Sequence, residues 1–415
     1  MKKRAETITG IDIGTSAIRV VVGAPQENGR LQIVGVGEAP SRGITKGTIA
    51  DVEEAVTSVS EALERAERMV GTPLSRAIVG VNGAQIKVVQ SHGVVAVSKP
   101  NGEVQESDVD RAVEQSQAVA TIPNFEIVHV LPKGFDLDAQ LNIKDPIGMT
   151  GIKLEAHTQI ILALSSHIKN LTKCINRTGL ELEGLVFSPL ATATALLNKR
   201  QKDLGVALVT LGAATTSVVV FEEGELLHAA VIPIGSDHIT SDLAIGLRTS
   251  IDIAERIKIE QGQVNAEKVS KRDEIDLAKY ATEEMPRMLI SRKDIAEIIE
   301  ARVAEIFHLV NEELKRAHRE GKLPAGIVLT GGGSQLIGLA DYVKEVARLP
   351  VFLGAAEDIF TPIDKVRDSH FTAALGLVYF AEQDDSVVAT NPMRGGMNAV
   401  QDMVGSLFAR FRGRR

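Results

Sequence analysis

The sequence predicts an α/β fold of two related halves, with a small α+β module inserted in the first half and an amphipathic helix at the C-terminal end. Three observations carry this. A strand, a tight turn of small residues and a second strand occur twice, through Ile11-Asp-Ile-Gly-Thr-Ser16 and again through Val209-Thr-Leu-Gly-Ala-Ala-Thr215. Between 85 and 158 the pattern changes to short strands around one helix. From Ala399 onward, apolar residues recur at helical spacing beside a cluster of arginines.

Each element follows from its local pattern. The opening strand spans 7–22 and turns at Gly14-Thr15-Ser16; Gln26-Glu-Asn-Gly29 makes a hairpin, and 31–36 alternates as the returning strand. Residues 51–70 read as a helix, with Val52, Val56, Val59, Leu63, Ala66 and Val70 on one side and acidic residues in the first turn. A short buried strand follows at 77–81. In the module, strands at 86–90, 94–98 and 126–132 surround a helix at 107–120, separated by turn clusters such as Lys99-Pro-Asn-Gly102. Residues 159–164 return to a buried strand of the first half, 165–178 form a helix stopped by Gly179, and Ser188-Pro189 opens a helix reaching 201. The first subdomain is therefore 1–84 with 159–202, and the module is 85–158.

The second half begins like the first. Strands at 206–211, 217–221 and 226–232 are joined by the small-residue turn 212–215 and the hairpin Glu222-Glu-Gly224. A helical subdomain, 241–325, contains helices at 250–261 and 291–320. Ser291 and Asp294 form a capping box for the longer helix, and Gly321 is its stop. A strand at 326–329 enters Thr330-Gly-Gly-Gly-Ser334, followed by a helix at 338–348. The second subdomain is 203–240 with 326–383. A leash at 384–398, holding Pro392, Gly395 and Gly396, leads to the terminal helix 399–415.

Composition excludes several classes. With 415 residues the chain has room for two or three domains, and 44% hydrophobic with 24% charged residues is ordinary for a soluble protein. No apolar run approaches the roughly 18 residues of a spanning helix. The start is basic, but Glu6 and Asp12 interrupt any apolar stretch, so a cytosolic protein is expected. The one cysteine, Cys174, excludes an intramolecular disulfide and reads as a buried bystander among Ile168, Leu171 and Ile175. Net charge is -8 and aromatic content 3%, which argues against nucleic acid as a partner. In the tail, Val400, Met403, Val404, Leu407, Phe408 and Phe411 share a face, and Arg410 and Arg412 crowd the end. Such a helix suits an anionic membrane interface. A helix docked on the body, or one that binds a partner as calmodulin targets do, fits the same pattern.

The turns carry the chemistry. Asp12 places a carboxylate at a strand end, where it suits a hydrated Mg²⁺; Gly14 permits backbone approach to a phosphate, and Thr15 and Ser16 supply donors. Gly212 and Thr215 occupy the second turn. Gly331, Gly332 and Gly333 leave bare backbone for a flat sugar or base, and no Walker Lys-Ser/Thr follows them. Glu255 and Lys258 lie three apart on a helix, placed for ribose hydroxyls and adenine, or simply for an exposed ion pair. Two phosphate-sized turns and a nucleoside-sized one describe a nucleotide cleft between two halves.

On these residues the chain resembles the actin-like ATPase superfamily and, within it, the FtsA family of bacterial cell-division proteins. Ser91-His-Gly-Val-Val, Ile143-Lys-Asp-Pro-Ile-Gly-Met-Thr-Gly151, Val231-Ile-Pro-Ile-Gly235, Ile299-Glu-Ala-Arg302 and the tail helix carry the more specific likeness. The resemblance implies an actin-like fold whose inserted module replaces the usual small subdomain, and binding of ATP and Mg²⁺. It implies self-polymerisation and tethering of FtsZ filaments, through the FtsZ C-terminal tail, to the cytoplasmic face of the cell membrane at the division site. Later division proteins are expected on the inserted module. Arg302 is the candidate ion-pair partner for the FtsZ tail, an intrahelical pair with Glu305 being the competing reading. Two departures stand out: Thr210 replaces the Asp that usually opens the second phosphate motif, and Ser188 precedes Pro189 where hydrolysing relatives such as MreB carry Glu. Both point to weak or absent hydrolysis. A PilM-like pilus-assembly adaptor and a sugar or acetate kinase of the same superfamily are the alternatives.

Overall fold

A computed structural model describes residues 7–27, 29–280, 287–356 and 359–383. The terminal helix expected at 399–415, with its leash, lies outside them. The chain divides into two units, one reaching Leu196 and resuming at Ala356, the other Leu197–Ala355.

Unit 1 opens with β1 (Ile8–Ile13), β2 (Ala17–Pro25) and β3 (Leu31–Pro40), then a two-stranded ribbon, β4 (Ile44–Thr45) and β5 (Thr48–Ile49). Helix α1 (Val52–Val70) follows, capped by the Asp51 carboxylate on the N–H groups of Glu53 and Glu54 and closed by left-handed Gly71. It rests on β3 so closely that a Cβ on Gly37 would meet the Ala62 carbonyl at 1.9 Å. After β6 (Arg76–Val81) comes the inserted module: β7 (Ile86–Ala96), α2 (Glu106–Val119), β8 (Phe125–Leu137), β9 (Gln140–Ile143) and β10 (Lys153–Leu164). Then α3 (Ser165–Arg177), β11 (Glu181–Phe187) and α4 (Ser188–Leu196) complete the run. The main sheet has the order β11-β6-β1-β2-β3. Helix Thr372–Gln383 covers β1, where a Cβ on Gly10 would lie 2.6 Å from the Ala374 carbonyl.

The module is an antiparallel sheet, β7-β10-β8-β9, with α2 against β7. Its core includes Val109, Val113, Val130, Phe135, Leu154 and Ile160. Two sequence expectations change here. The pieces 86–90 and 94–98 are one strand, because Gly93 is needed where α2 crosses, a Cβ there meeting the Ala112 carbonyl at 2.0 Å. The strand expected at 159–164 begins at Lys153 and pairs with β7 and β8 along its whole length, so it belongs to the module's sheet. Its burial changes from alternating to continuous near Gln159, which reads in sequence as a new element.

Unit 2 begins with α5 (Lys199–Leu204), β12 (Val206–Leu211), β13 (Thr216–Glu222) and β14 (Glu225–Ile232). The helices α6 (Ser236–Leu247) and α7 (Ile251–Gln261), a ribbon of β15 (Glu274–Asp276) with β16 (Leu289–Ser291), and α8 (Arg292–Arg316) follow. Last come β17 (Ile327–Thr330), α9 (Leu339–Ala347) and β18 (Val351–Leu353). Sheet order is β14-β13-β12-β17-β18. Read from β3 to β11, unit 1 has the same arrangement. A central strand pairs antiparallel with the next hairpin strand and parallel with a later one. This is the duplication the two turns announced.

Three boundaries differ from expectation. The helix expected from Ser188 to 201 is two helices, because Asn198 restarts the chain with a reciprocal cap to Gln201. Ser291 caps α8 through the Lys293 N–H without Asp294. That helix ends at Arg316, with left-handed His318 turning the chain before Gly321 is reached.

Candidate functional site

In unit 1 the Gly14 N–H donates to the Ala17 carbonyl at 3.2 Å, closing the turn, and a Cβ on Gly14 would lie 2.8 Å from that oxygen. Thr15 Oγ1 accepts from the Gly47 N–H of the ribbon at 3.1 Å, so its proton is still available as a donor. Ser16 is exposed. Asp12 sits opposite Arg19 in the β1–β2 ladder. Burial pushes its carboxyl above the usual range, and the Arg19 charge only partly offsets this. Beside it Ser188 Oγ, at the start of α4, is buried without a hydrogen-bond partner. A desolvated carboxylate and an orphaned hydroxyl are groups that a hydrated cation would satisfy. Among the described residues no group of three or more His, Cys, Asp or Glu could hold a metal alone. Mg²⁺ therefore fits only as the partner of phosphate oxygens, keeping most of its water.

Unit 2 repeats the turn. The Gly212 N–H donates to the Thr215 carbonyl at 2.9 Å, and a Cβ on Gly212 would lie 3.0 Å from it. Thr215 is buried and closes the turn through its backbone. The carbonyls of Gly212 and Ala213 accept from the N–H groups of Ser236 and Asp237, each at 2.8 Å, so the start of α6 holds the turn. Thr210 stands where unit 1 has Asp12, and its Oγ1 is buried without a partner.

The three glycines after β17 divide. Gly331 has φ +86°, and a Cβ there would strike the Leu211 carbonyl at 2.5 Å; one on Gly333 would strike Leu211 Cγ at 2.5 Å. These two serve close packing on β12. Gly332, by contrast, is exposed. Glu255 and Lys258 do pair, Nζ to Oε2 at 2.6 Å, but the pair is not the exposed one anticipated. Lys258 is buried, and its ammonium also donates to Thr240 Oγ1 at 2.8 Å. Thr240 donates in turn to Glu255. The sequence reading missed Thr240 and also Asp237, whose carboxyl is pushed up chiefly by burial and partly restrained by Lys258. The only signal for either was their position one helix upstream of Glu255.

Arg302 makes the intrahelical pair with Glu305 that was the competing reading, and a second acidic partner holds it as well. It forks onto Asp242 of α6, Nε to Oδ2 at 2.6 Å and Nη2 to Oδ1 at 2.9 Å, and also pairs with Glu305.

Residues 207–376 match the family "Cell division protein FtsA", and 83–162 match the "SHS2 domain inserted in FTSA". The FtsA of Pseudomonas aeruginosa is 36% identical over 379 residues, covering 91% of this chain and 90% of that one. The chain belongs to the FtsA family. The Bacillus subtilis FtsA is 39% identical over 376 residues, 91% of this chain and 83% of the relative. Among solved structures, a PilM–PilN type IV pilus biogenesis complex aligns with TM-score 0.66 at 17% identity, covering 92% of this chain and 99% of the other. MreB5 of Spiroplasma citri bound to ADP aligns with TM-score 0.54 at 13% identity, covering 95% and 100%. These establish an actin-like fold for this FtsA-family chain, with the SHS2 module inserted in unit 1; the PilM likeness is one of fold.

Proposed function

We propose that this FtsA-family cell-division protein is an ATP-binding scaffold with weak or absent turnover, which polymerises and ties FtsZ filaments to the membrane. One observation carries the nucleotide part: the same closed turn is built twice, with a desolvated carboxylate at Asp12 in one and a hydroxyl at Thr210 in the other. Within unit 1 the candidate phosphate-binding residues are Asp12, Gly14, Thr15 and Ser16, with Asp12 the candidate for Mg²⁺. Within unit 2 the candidate nucleotide-binding residues are Gly212, Thr215, Glu255, Lys258 and Gly332. With one metal-placing carboxylate instead of two, binding is retained better than hydrolysis.

The membrane part rests on the tail sequence and on family membership. No helix among the described residues is long and apolar enough to cross a membrane. Attachment at the cytoplasmic face of the division site falls to the amphipathic segment 399–415. Calorimetry with ATP and Mg²⁺, paired with steady-state phosphate release, tests the nucleotide reading. Binding with release well below one per second per chain is expected, against ordinary turnover of roughly 1–1000 per second. Ordinary turnover, or no binding, contradicts it.

A further inference from the structure

Lys258 is buried, and a buried ammonium is costly unless each of its three protons is bonded. Here all three have acceptors. Nζ lies 2.6 Å from Glu255 Oε2 on its own helix, and 2.8 Å from Thr240 Oγ1 and 3.3 Å from the Ser236 carbonyl, both on α6. A cation so engaged has no donor left for a phosphate or a base, and only its apolar stem remains for a ligand. Thr240 is buried between the two charges. Its hydroxyl oxygen accepts from Lys258, and its one proton goes to the nearer acceptor, Glu255 Oε2, rather than to the Ser236 carbonyl at 3.3 Å. Both contacts to Glu255 therefore end on the same oxygen. Its other oxygen, Oε1, makes no hydrogen bond among the described residues, and the side chain is 39% exposed. The carboxylate is fixed at one oxygen and open at the other.

We propose that Thr240 is a positioning residue for nucleotide recognition: with Lys258 it clamps Oε2 of Glu255 and so presents Oε1 to the ribose hydroxyls of the bound nucleotide. Lys258 acts in the same way, through Glu255, and its ammonium does not touch the ligand. An ionised carboxylate only accepts, so a clamped one rewards a ligand that brings hydroxyl donors to it and disfavours a deoxy analogue. Valine has the shape of threonine without the hydroxyl. At position 240 it would leave one Lys258 proton without an acceptor and release Glu255 to other rotamers. The inference deepens the nucleotide reading above and rests on it.

The test uses the full chain in Mg²⁺ and titrates ATP, 2′-deoxy-ATP and 3′-deoxy-ATP calorimetrically. The proteins are wild type, Thr240→Val, Thr240→Ser, Glu255→Ala and the double variant Thr240→Val with Glu255→Ala. Wild type should bind ATP about tenfold more tightly than at least one deoxy analogue, the worth of one hydrogen bond to a charged group. Thr240→Val should cut that preference to about threefold or less, by weakening ATP more than the analogue. Thr240→Ser, which keeps the hydroxyl, should retain it. Glu255→Ala should abolish the preference, and adding Thr240→Val should change it no further, because Thr240 acts through Glu255. Should the valine variant not fold, Thr240→Ala reads the same ratio. A lower melting temperature in Thr240→Val with an unchanged preference for ATP means that the cluster only fastens α7 to α6, and overturns the proposal. So does a wild type that binds all the nucleotides equally. A wild type that binds none of them removes the nucleotide reading itself, and this inference with it.

Discussion

At Asp12 the fold holds a carboxylate that burial disfavours in its charged form. Its folded pKa lies above the unfolded value, so the folded state binds the extra proton. The stability that this proton provides is full below the unfolded value, near 3.8, and is lost as pH rises through the folded one. At neutral pH the ionised group therefore weighs against folding. Asp12→Asn should melt at a higher temperature than wild type at pH 7 and lose that advantage below about pH 4, while losing Mg²⁺-dependent ATP affinity. Thermal melts across pH with paired calorimetry read both; a lower melting temperature at pH 7 contradicts the burial argument. The glycines after β17 give a second contrast. Gly332→Val should weaken ATP binding with little effect on stability. Gly331→Val should destabilise the fold by about 1–3 kcal/mol or more, because it forces a side chain into left-handed backbone against Leu211. Equal melting of the two variants would reject the division of roles.

At the scale of elements, the fork from Arg302 to Asp242 fastens α8 to α6. Both side chains are partly exposed, at 23% and 28%, so a double-mutant cycle between them should give a coupling of only about 0.5–1 kcal/mol. If tail recognition by FtsZ runs through this face, Asp242→Asn frees the guanidinium and should leave or strengthen binding, measured by co-sedimentation. Loss of binding in that variant would place recognition elsewhere. A deeper tie joins the module to the end of β11: His129 Nε2 on β8 accepts from the buried Phe187 N–H at 3.0 Å. His129→Leu should orphan that N–H and cost about 1–3 kcal/mol in chemical denaturation; a smaller cost would mean the N–H finds water. Elements with a clear period were legible in sequence. The amphipathic α1 and the hairpins around both turns came out nearly residue for residue. Missed elements lacked that contrast. Helix Thr372–Gln383 buries most of its surface, so its pattern has no polar face. Strand β9 has three exposed residues of four, and β18 only three residues in all. The turns of the site were visible because glycine and small residues mark them. The place of Thr240 between Glu255 and Lys258 was not, since the packing of two helices makes it.

For the whole molecule, the proposed function needs an ATP-dependent scaffold and a weak membrane anchor. In the sequence, Val404, Leu407, Phe408 and Phe411 recur at the spacing of one helix face. Burying each large side chain is worth at most about 1.5–3 kcal/mol, less in a wet interface. Each arginine near anionic lipid adds about 1 kcal/mol. One tail paying its own ordering cost binds loosely, and many tails on one filament bind durably. Phe408→Asp should release the protein from anionic liposomes; flotation equal to wild type would exclude that face as the anchor. The most direct measurement is flotation of FtsZ with anionic liposomes in the presence of ATP and this protein. FtsZ should float only when the intact chain is present and stay in solution with a chain ending at Asn398. FtsZ that floats equally well with the shortened chain, or not at all with the intact one, would contradict it.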